Sequence, residues 1–179
     1  MVVMYPVPVT LSPSRVEAFT NCPLAFRFAS IEKLAEPPSA HATKGSFVHR
    51  VLELLFTYAP DRRTPQTADS AFEQARGEYL VDPEFTMLRL DDAAVESFFA
   101  DSRALVANYF TMENPAAVRD IGLELYLEAA VGDLTLRGII DRLELNEAGE
   151  LIVTDYKTGR PPGVNYEQGK LGGVQFYAY

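Results

Sequence analysis

The chain is poor in the residues that staple many small folds. Among its 179 residues it has one cysteine, Cys22, two histidines and no tryptophan. A lone thiol excludes an intrachain disulfide framework and fits a reducing compartment. So few cysteines and histidines also leave too few ligands for a Cys/His zinc site. No apolar run approaches the roughly 18 residues of a membrane span. The start, MVVMYPVPVT, has no basic segment and is broken by Pro6 and Pro8, so it does not read as a signal peptide. Positive charge is scarce as well: 16 Lys and Arg stand against 25 Asp and Glu, giving a net charge of -9 and a pI of about 4.7. That balance argues against broad adhesion to nucleic acid or anionic membrane, while leaving room for a local basic groove or a bound cation. A cytoplasmic protein away from membranes is expected.

What is present is an ordinary globular composition, 47% hydrophobic and 23% charged, long enough for one domain with a substantial core. Residues 1–11 read as an extended lead-in. Ser12 then suits an N-cap with Pro13 in the first helical turn, or Ser14 and Glu17 form a capping box. Val16, Phe19 and Leu24 give this helix an apolar side. Asn21-Cys22-Pro23 ends or kinks it, and Cys22 reads as a small buried side chain. A second helix is expected over residues 43–58, with Val48, Val51, Leu52 and Leu55 at core spacing. His49 sits at the edge of that stripe, one turn from Glu53. After a polar loop over residues 61–65, a weaker helix covers residues 66–80 and Pro83 interrupts it. Asp91-Asp92 cap a stronger helix whose stripe runs Val95, Phe98, Phe99, Leu105, Val106, Tyr109 and Phe110. That aromatic stripe reads as core.

From Ile121 the period changes to two, with Leu123, Leu125 and Leu127 alternating against Glu124, Tyr126 and Glu128, a half-buried strand. Gly132-Asp133 turns it and residues 134–141 return. The stretch GIIDRLELNEAGELIVTDYKTG, residues 138–159, then reads as two strands joined by a five-residue turn over 146–150. If Leu145 faces Leu151, Asp141 lies directly opposite Asp155. Like charges in that position destabilise a strand pair, so the two carboxylates need a shared proton or a cation. Lys157 points to the same face as Asp155, because side chains alternate along a strand. Two acids and an ammonium in a Leu/Ile/Val setting describe a hard-cation site with a lysine beside it. With a helical imidazole added, the donors suit Mg²⁺ or Mn²⁺. Such a cation acidifies water and stabilises charge on a phosphoryl oxygen, and the lysine can steady the oxyanion. Hydrolysis of a phosphodiester fits this chemistry.

Competing motifs fail. Gly163 to Lys170 resembles a phosphate loop, but five residues separate Gly163 from Gly169 and Leu171 stands where Ser or Thr is required. No nucleophile elbow supports a Ser-His-Asp triad. The end of the chain, residues 174–179, reads as the start of an amphipathic helix, so more chain is expected to follow Tyr179 in the natural protein.

Four motifs occur in order: GSFVHRVLE (Gly45 to Glu53), GIIDRLE (Gly138 to Glu144), IVTDYKTG (Ile152 to Gly159) and QFYAY (Gln175 to Tyr179). Together with Leu11-Ser12-Pro13-Ser14 and Cys22-Pro23 they resemble the RecB-type nuclease domain of the PD-(D/E)xK superfamily. Its pattern is G-x-x-x-H, G-x-x-D-R, D-x-K-T-G and Q-x-x-x-Y. The resemblance covers roughly residues 12–179. It implies a mixed α/β (α+β) fold of restriction-endonuclease type, a central mixed sheet flanked by helices. The whole chain, residues 1–179, is then one nuclease domain, truncated at its C-terminus. Residues 12–58 carry the His motif, 64–112 a helical insertion, and 121–179 the catalytic sheet and final helix.

The same resemblance implies that His49, Asp141, Asp155 and the main-chain carbonyl of Tyr156 hold Mg²⁺ or Mn²⁺. Lys157 is the implied catalytic lysine. Glu124 matches an acidic position of many members. Gln175 and Tyr179 share a helix face and would bind DNA or support the site. The implied activity is DNA cleavage, exonucleolytic rather than endonucleolytic, on single strands or duplex ends, in repair or recombination and with a helicase as a possible partner. Some members carry an iron–sulfur cluster on one early cysteine and three later ones. Cys22 matches the first, but one thiolate cannot hold a cluster, so a cluster requires cysteines after Tyr179. Two rival readings share these residues. One is a non-catalytic module of nuclease fold that binds DNA or acts as a scaffold; the other is an unrelated fold in which Asp141 and Asp155 hold a structural cation.

Overall fold

The computed structural model describes residues 8–159 together with Tyr177. Local chemistry sets most helix starts. Helix α1 (Pro13–Asn21) is capped by Ser12, whose hydroxyl accepts from the Arg15 N–H at 3.4 Å. Cys22 is extended, and Pro23 opens the short α2 (Pro23–Phe26), which passes into a wide helical turn at Arg27–Ile31. Helix α3 (Ala40–Phe56) follows a proline-containing loop. Three further helices carry side-chain caps and begin one residue later: α4 (Pro65–Leu80) after Thr64, α5 (Pro83–Met87) after Asp82 and α6 (Asp92–Met112) after Asp91.

The sheet is mixed. Strand β1 (Thr10–Leu11) runs parallel to β3 (Leu134–Leu145), while β2 (Asp120–Val131) and β4 (Leu151–Thr154) pair antiparallel with it. β2 lies along one edge of β3; β1 and β4 take opposite ends of the other edge. Gly132 at φ 59° turns β2 into β3, where a side chain would be strained. The β3–β4 turn is closed by Asn146, which accepts at its main-chain oxygen from Gly149 and at its side chain from Glu150. Leu145 therefore faces Leu151, as the turn length predicts, and the ladder runs to Arg142 against Thr154. Asp141 and Asp155 lie one residue beyond that last pair.

The core sits mainly among α3, α4, α5 and α6. Phe47, fully buried on α3, meets Phe72 and Tyr79 of α4 at 5.0 and 5.1 Å and Phe99 of α6 at 5.2 Å, all edge to face. Val48, Val51, Leu52 and Leu55 are buried at the expected spacing, as are Phe98, Phe99, Val106 and Tyr109. The sheet joins this core through Leu123 of β2, with Val118 just before β2 and Tyr156 just after β4.

Three expectations are corrected. α1 buries nothing, and Val16 and Phe19 on it and Leu24 on α2 are exposed, because the helical core lies elsewhere; Phe26 of α2 finds cover. Cys22 is exposed at the break between α1 and α2. Half-burial of β2 ends at Leu125; from Tyr126 onward the β2–β3 ribbon runs past the helices, and Leu127 is exposed. The expected final helix over residues 174–179 lies outside the described residues. Among those described, no helix is long and apolar enough to cross a membrane.

Phe47→Ala should cost about 3–5 kcal/mol, the range for removing a buried phenylalanine. Urea unfolding checks this, and a loss below 1 kcal/mol would contradict the placement of Phe47 at the centre of the core.

Candidate metal centre

The site forms where α3 crosses the end of the β3–β4 hairpin. Gly45 permits the approach: a Cβ there would lie 3.2 Å from Thr158 Oγ1. One helical turn further on, His49 Nε2 meets the Tyr156 carbonyl oxygen at 2.8 Å. A carbonyl only accepts, so Nε2 carries the proton. The other ring nitrogen, Nδ1, stands 3.6 Å from Asp141 Oδ1. With Nε2 donating, Nδ1 presents a lone pair to that carboxylate, an arrangement that a cation between the two would relieve. The second Asp141 oxygen accepts from the Tyr156 N–H at 2.6 Å. Tyr156 thus engages the imidazole with one end of its backbone and the carboxylate with the other.

Glu124 completes the group. Donor atoms of His49, Glu124 and Asp141 all lie within 4.8 Å of one another. Glu124 has φ 44°, left-handed for a non-glycine, between the pairs Leu123–Arg142 and Leu125–Ile140. Such strain costs of order 1–3 kcal/mol and collects at functional positions. Burial, and then the Asp141 charge, pushes the Glu124 carboxyl above its usual range. Burial raises Asp141 too; His49 and the Tyr156 N–H oppose that rise, and Asp155 adds to it. One imidazole and two crowded, partly buried carboxylates are donors that a divalent cation fits. Such a cation would relieve both raised carboxyls.

Asp155 and Lys157 stand beside this trio. Lys157 Nζ pairs with Asp155 Oδ2 at 2.6 Å, and Lys157 is 70% exposed. His49, Asp155, Tyr156 and Lys157 line a cleft of about 990 Å³, whose other walls include Arg137 and Tyr177. Asp155 is therefore brought to the centre, but its carboxylate is held by the lysine and it is not one of the clustered donors. Gln175 and Tyr179 lie outside the described residues. Tyr177, between them in sequence, donates to the Ile139 carbonyl at 2.6 Å. Its ring occupies the space a Gly138 side chain would need, with atoms 2.5–2.9 Å from an added Cβ.

A model of the PD-(D/E)XK nuclease superfamily matches residues 10–179. This chain belongs to that superfamily. A curated relative, the Gene 69 protein of Mycobacterium phage D29, is 28% identical over 178 residues, covering 88% of this chain and 65% of that protein. The chain thus spans about two thirds of that relative's length. Members of that superfamily are nucleases that use divalent metals, and membership accounts for the mixed sheet with its flanking helices.

Sequence reasoning gave no role to Arg142, the last residue of G-x-x-D-R. It is 1% exposed and pairs with Glu113 and Glu144 at 2.8 and 2.6 Å. The motif marked the position, but Glu113 lies on a distant element.

A carboxyl whose folded pKa is raised stabilises the fold below its ordinary value, here 3.8, and that contribution is lost as pH rises through the folded value. Metal-free Asp141→Asn, which keeps an oxygen for the Tyr156 N–H, should therefore melt a few degrees above the unsubstituted protein at neutral pH. The gap should close towards pH 4. A melting series across pH checks this; a gap independent of pH would contradict a raised Asp141.

Proposed function

We propose that this chain is a divalent-metal-dependent deoxyribonuclease of RecB-like type, digesting single strands or duplex ends in DNA repair or recombination. The observation that carries the reading is the His49–Glu124–Asp141 donor cluster, whose His49 lines an open cleft together with Asp155 and Lys157. His49, Glu124, Asp141, Asp155 and the Tyr156 carbonyl are the groups that would hold Mg²⁺ or Mn²⁺. When bound, the cation supplies Lewis-acid polarisation of the phosphoryl group and acidifies the attacking water.

The chain's own residues do the rest. Lys157, exposed at the cleft with its Nζ paired to Asp155, orients the attacking water and donates to the phosphoryl oxygens as negative charge builds on them. Asp155 holds that ammonium in place. His49 Nε2 meets the Tyr156 carbonyl; to bind one cation together, the imidazole and the carbonyl would exchange that hydrogen bond for coordination. Gln175 and Tyr179 are assigned to DNA binding or site support. The whole sequence works as one nuclease domain in the cytoplasm, with residues 64–112 as a helical insertion and a helicase as a possible partner. Cys22 alone cannot hold an iron–sulfur cluster.

With Mg²⁺ or Mn²⁺ the protein should degrade end-labelled linear DNA and leave covalently closed circles intact. Asp155→Ala and Lys157→Ala should each slow cleavage by roughly 10²–10³-fold, the scale for losing one charge-stabilising group. Unchanged rates in both variants would overturn the assignment.

A further inference from the structure

β3 places consecutive side chains on opposite faces. Asp141 turns to the metal cluster, and Arg142 turns inward towards the helices. Arg142 stacks on Phe56 of α3, 4.7 Å from the ring centroid. Its guanidinium donates to both oxygens of Glu113 at 2.8 Å, to Glu144, to Thr154 Oγ1 at 3.2 Å and to the Tyr156 hydroxyl at 2.6 Å. Glu113 follows the last turn of α6, and the Tyr109 hydroxyl also donates to it. The cluster thus joins α3, α6, β3 and β4 to one phenol.

That phenol belongs to the residue whose peptide groups meet the metal cluster from the other side. The Tyr156 N–H donates to Asp141, and its carbonyl accepts from His49. Tyr156 is fixed at three points, one of them Arg142. A buried ion cluster is a poor source of net stability, because desolvating the charges offsets most of their attraction. Its geometric content is high, because a planar guanidinium with five donors sets the position of each acceptor it reaches.

We infer that Arg142, braced by Glu113, is a positioning residue for the metal centre: it grips the Tyr156 hydroxyl and so sets where the Tyr156 main chain presents Asp141 and His49 to the cation. The inference rests on the proposed metal site. It gives α6 a part in positioning the site, since Tyr109 on α6 and Glu113 directly after it both accept from the guanidinium. Groups at this remove from a metal commonly change its affinity 10–100-fold.

The test is calorimetric titration of the metal-free protein with Mn²⁺, with melting temperature recorded for each variant. Tyr156→Phe removes only the gripped oxygen, and Arg142→Lys keeps the charge but cannot span the acceptors. Each should weaken Mn²⁺ binding about tenfold or more. Asp120→Asn is the control for a loss of stability alone, because it breaks another buried ion pair, with Arg63 at 2.6 Å, that does not touch Tyr156. It should lower the melting temperature and leave Mn²⁺ affinity unchanged. If Tyr156→Phe and Arg142→Lys only lower the melting temperature, or if Asp120→Asn weakens Mn²⁺ equally, the positioning role is wrong. If the unsubstituted protein itself binds no Mn²⁺, the metal reading fails first.

Discussion

The structure depends on the two ends of one residue's backbone. Tyr156 gives its N–H to Asp141 and its carbonyl to His49, and through them the hairpin end is fastened to α3. Among the described residues, the His49–Tyr156 bond is the polar tie between the G-x-x-x-H helix and the D-x-K segment. Everything near it serves the approach. Gly45 removes the Cβ that would press on Thr158, and the helical core holds α3 at its depth through Phe47. Two partly buried carboxylates beside the clamp are costly groups to keep charged, and a cation that pairs with both changes that balance.

The hairpin register was legible from the sequence because it follows from local facts: a five-residue turn containing Asn146 and Gly149, and apolar residues on each side. Helix starts were legible for the same reason, since Ser12, Asp91 and the prolines act within one turn. The amphipathic stripes of α3 and α6 were read correctly because a large core lay ready to receive them. The stripe of α1 was not, because periodicity shows which face is apolar without showing what covers it. Cys22 was misplaced on similar grounds.

The chemistry divides along the same line. Asp141, Asp155 and Lys157 share a short segment, and pairing alone brings them near one another. His49 and Glu124 arrive from other elements; the edge of a helical stripe marked His49, and only the family motif pointed to Glu124. No sequence pattern announces that Glu124 adopts φ 44°, because that strain follows from the strand around it. Arg142 stood in plain view inside G-x-x-D-R. Its meaning required Tyr109 and Glu113, about thirty residues earlier, whose nearness is a property of the packed fold. The pairing of Asp155 with Lys157 also separates two acids that strand alternation had treated alike.

The central claim is that a divalent cation sits among His49, Glu124 and Asp141. Anomalous diffraction from crystals grown with Mn²⁺ tests it most directly. The account predicts one strong anomalous peak within coordinating distance of all three side chains and near the Tyr156 carbonyl. A peak elsewhere in the cleft, or none at millimolar Mn²⁺, would contradict it.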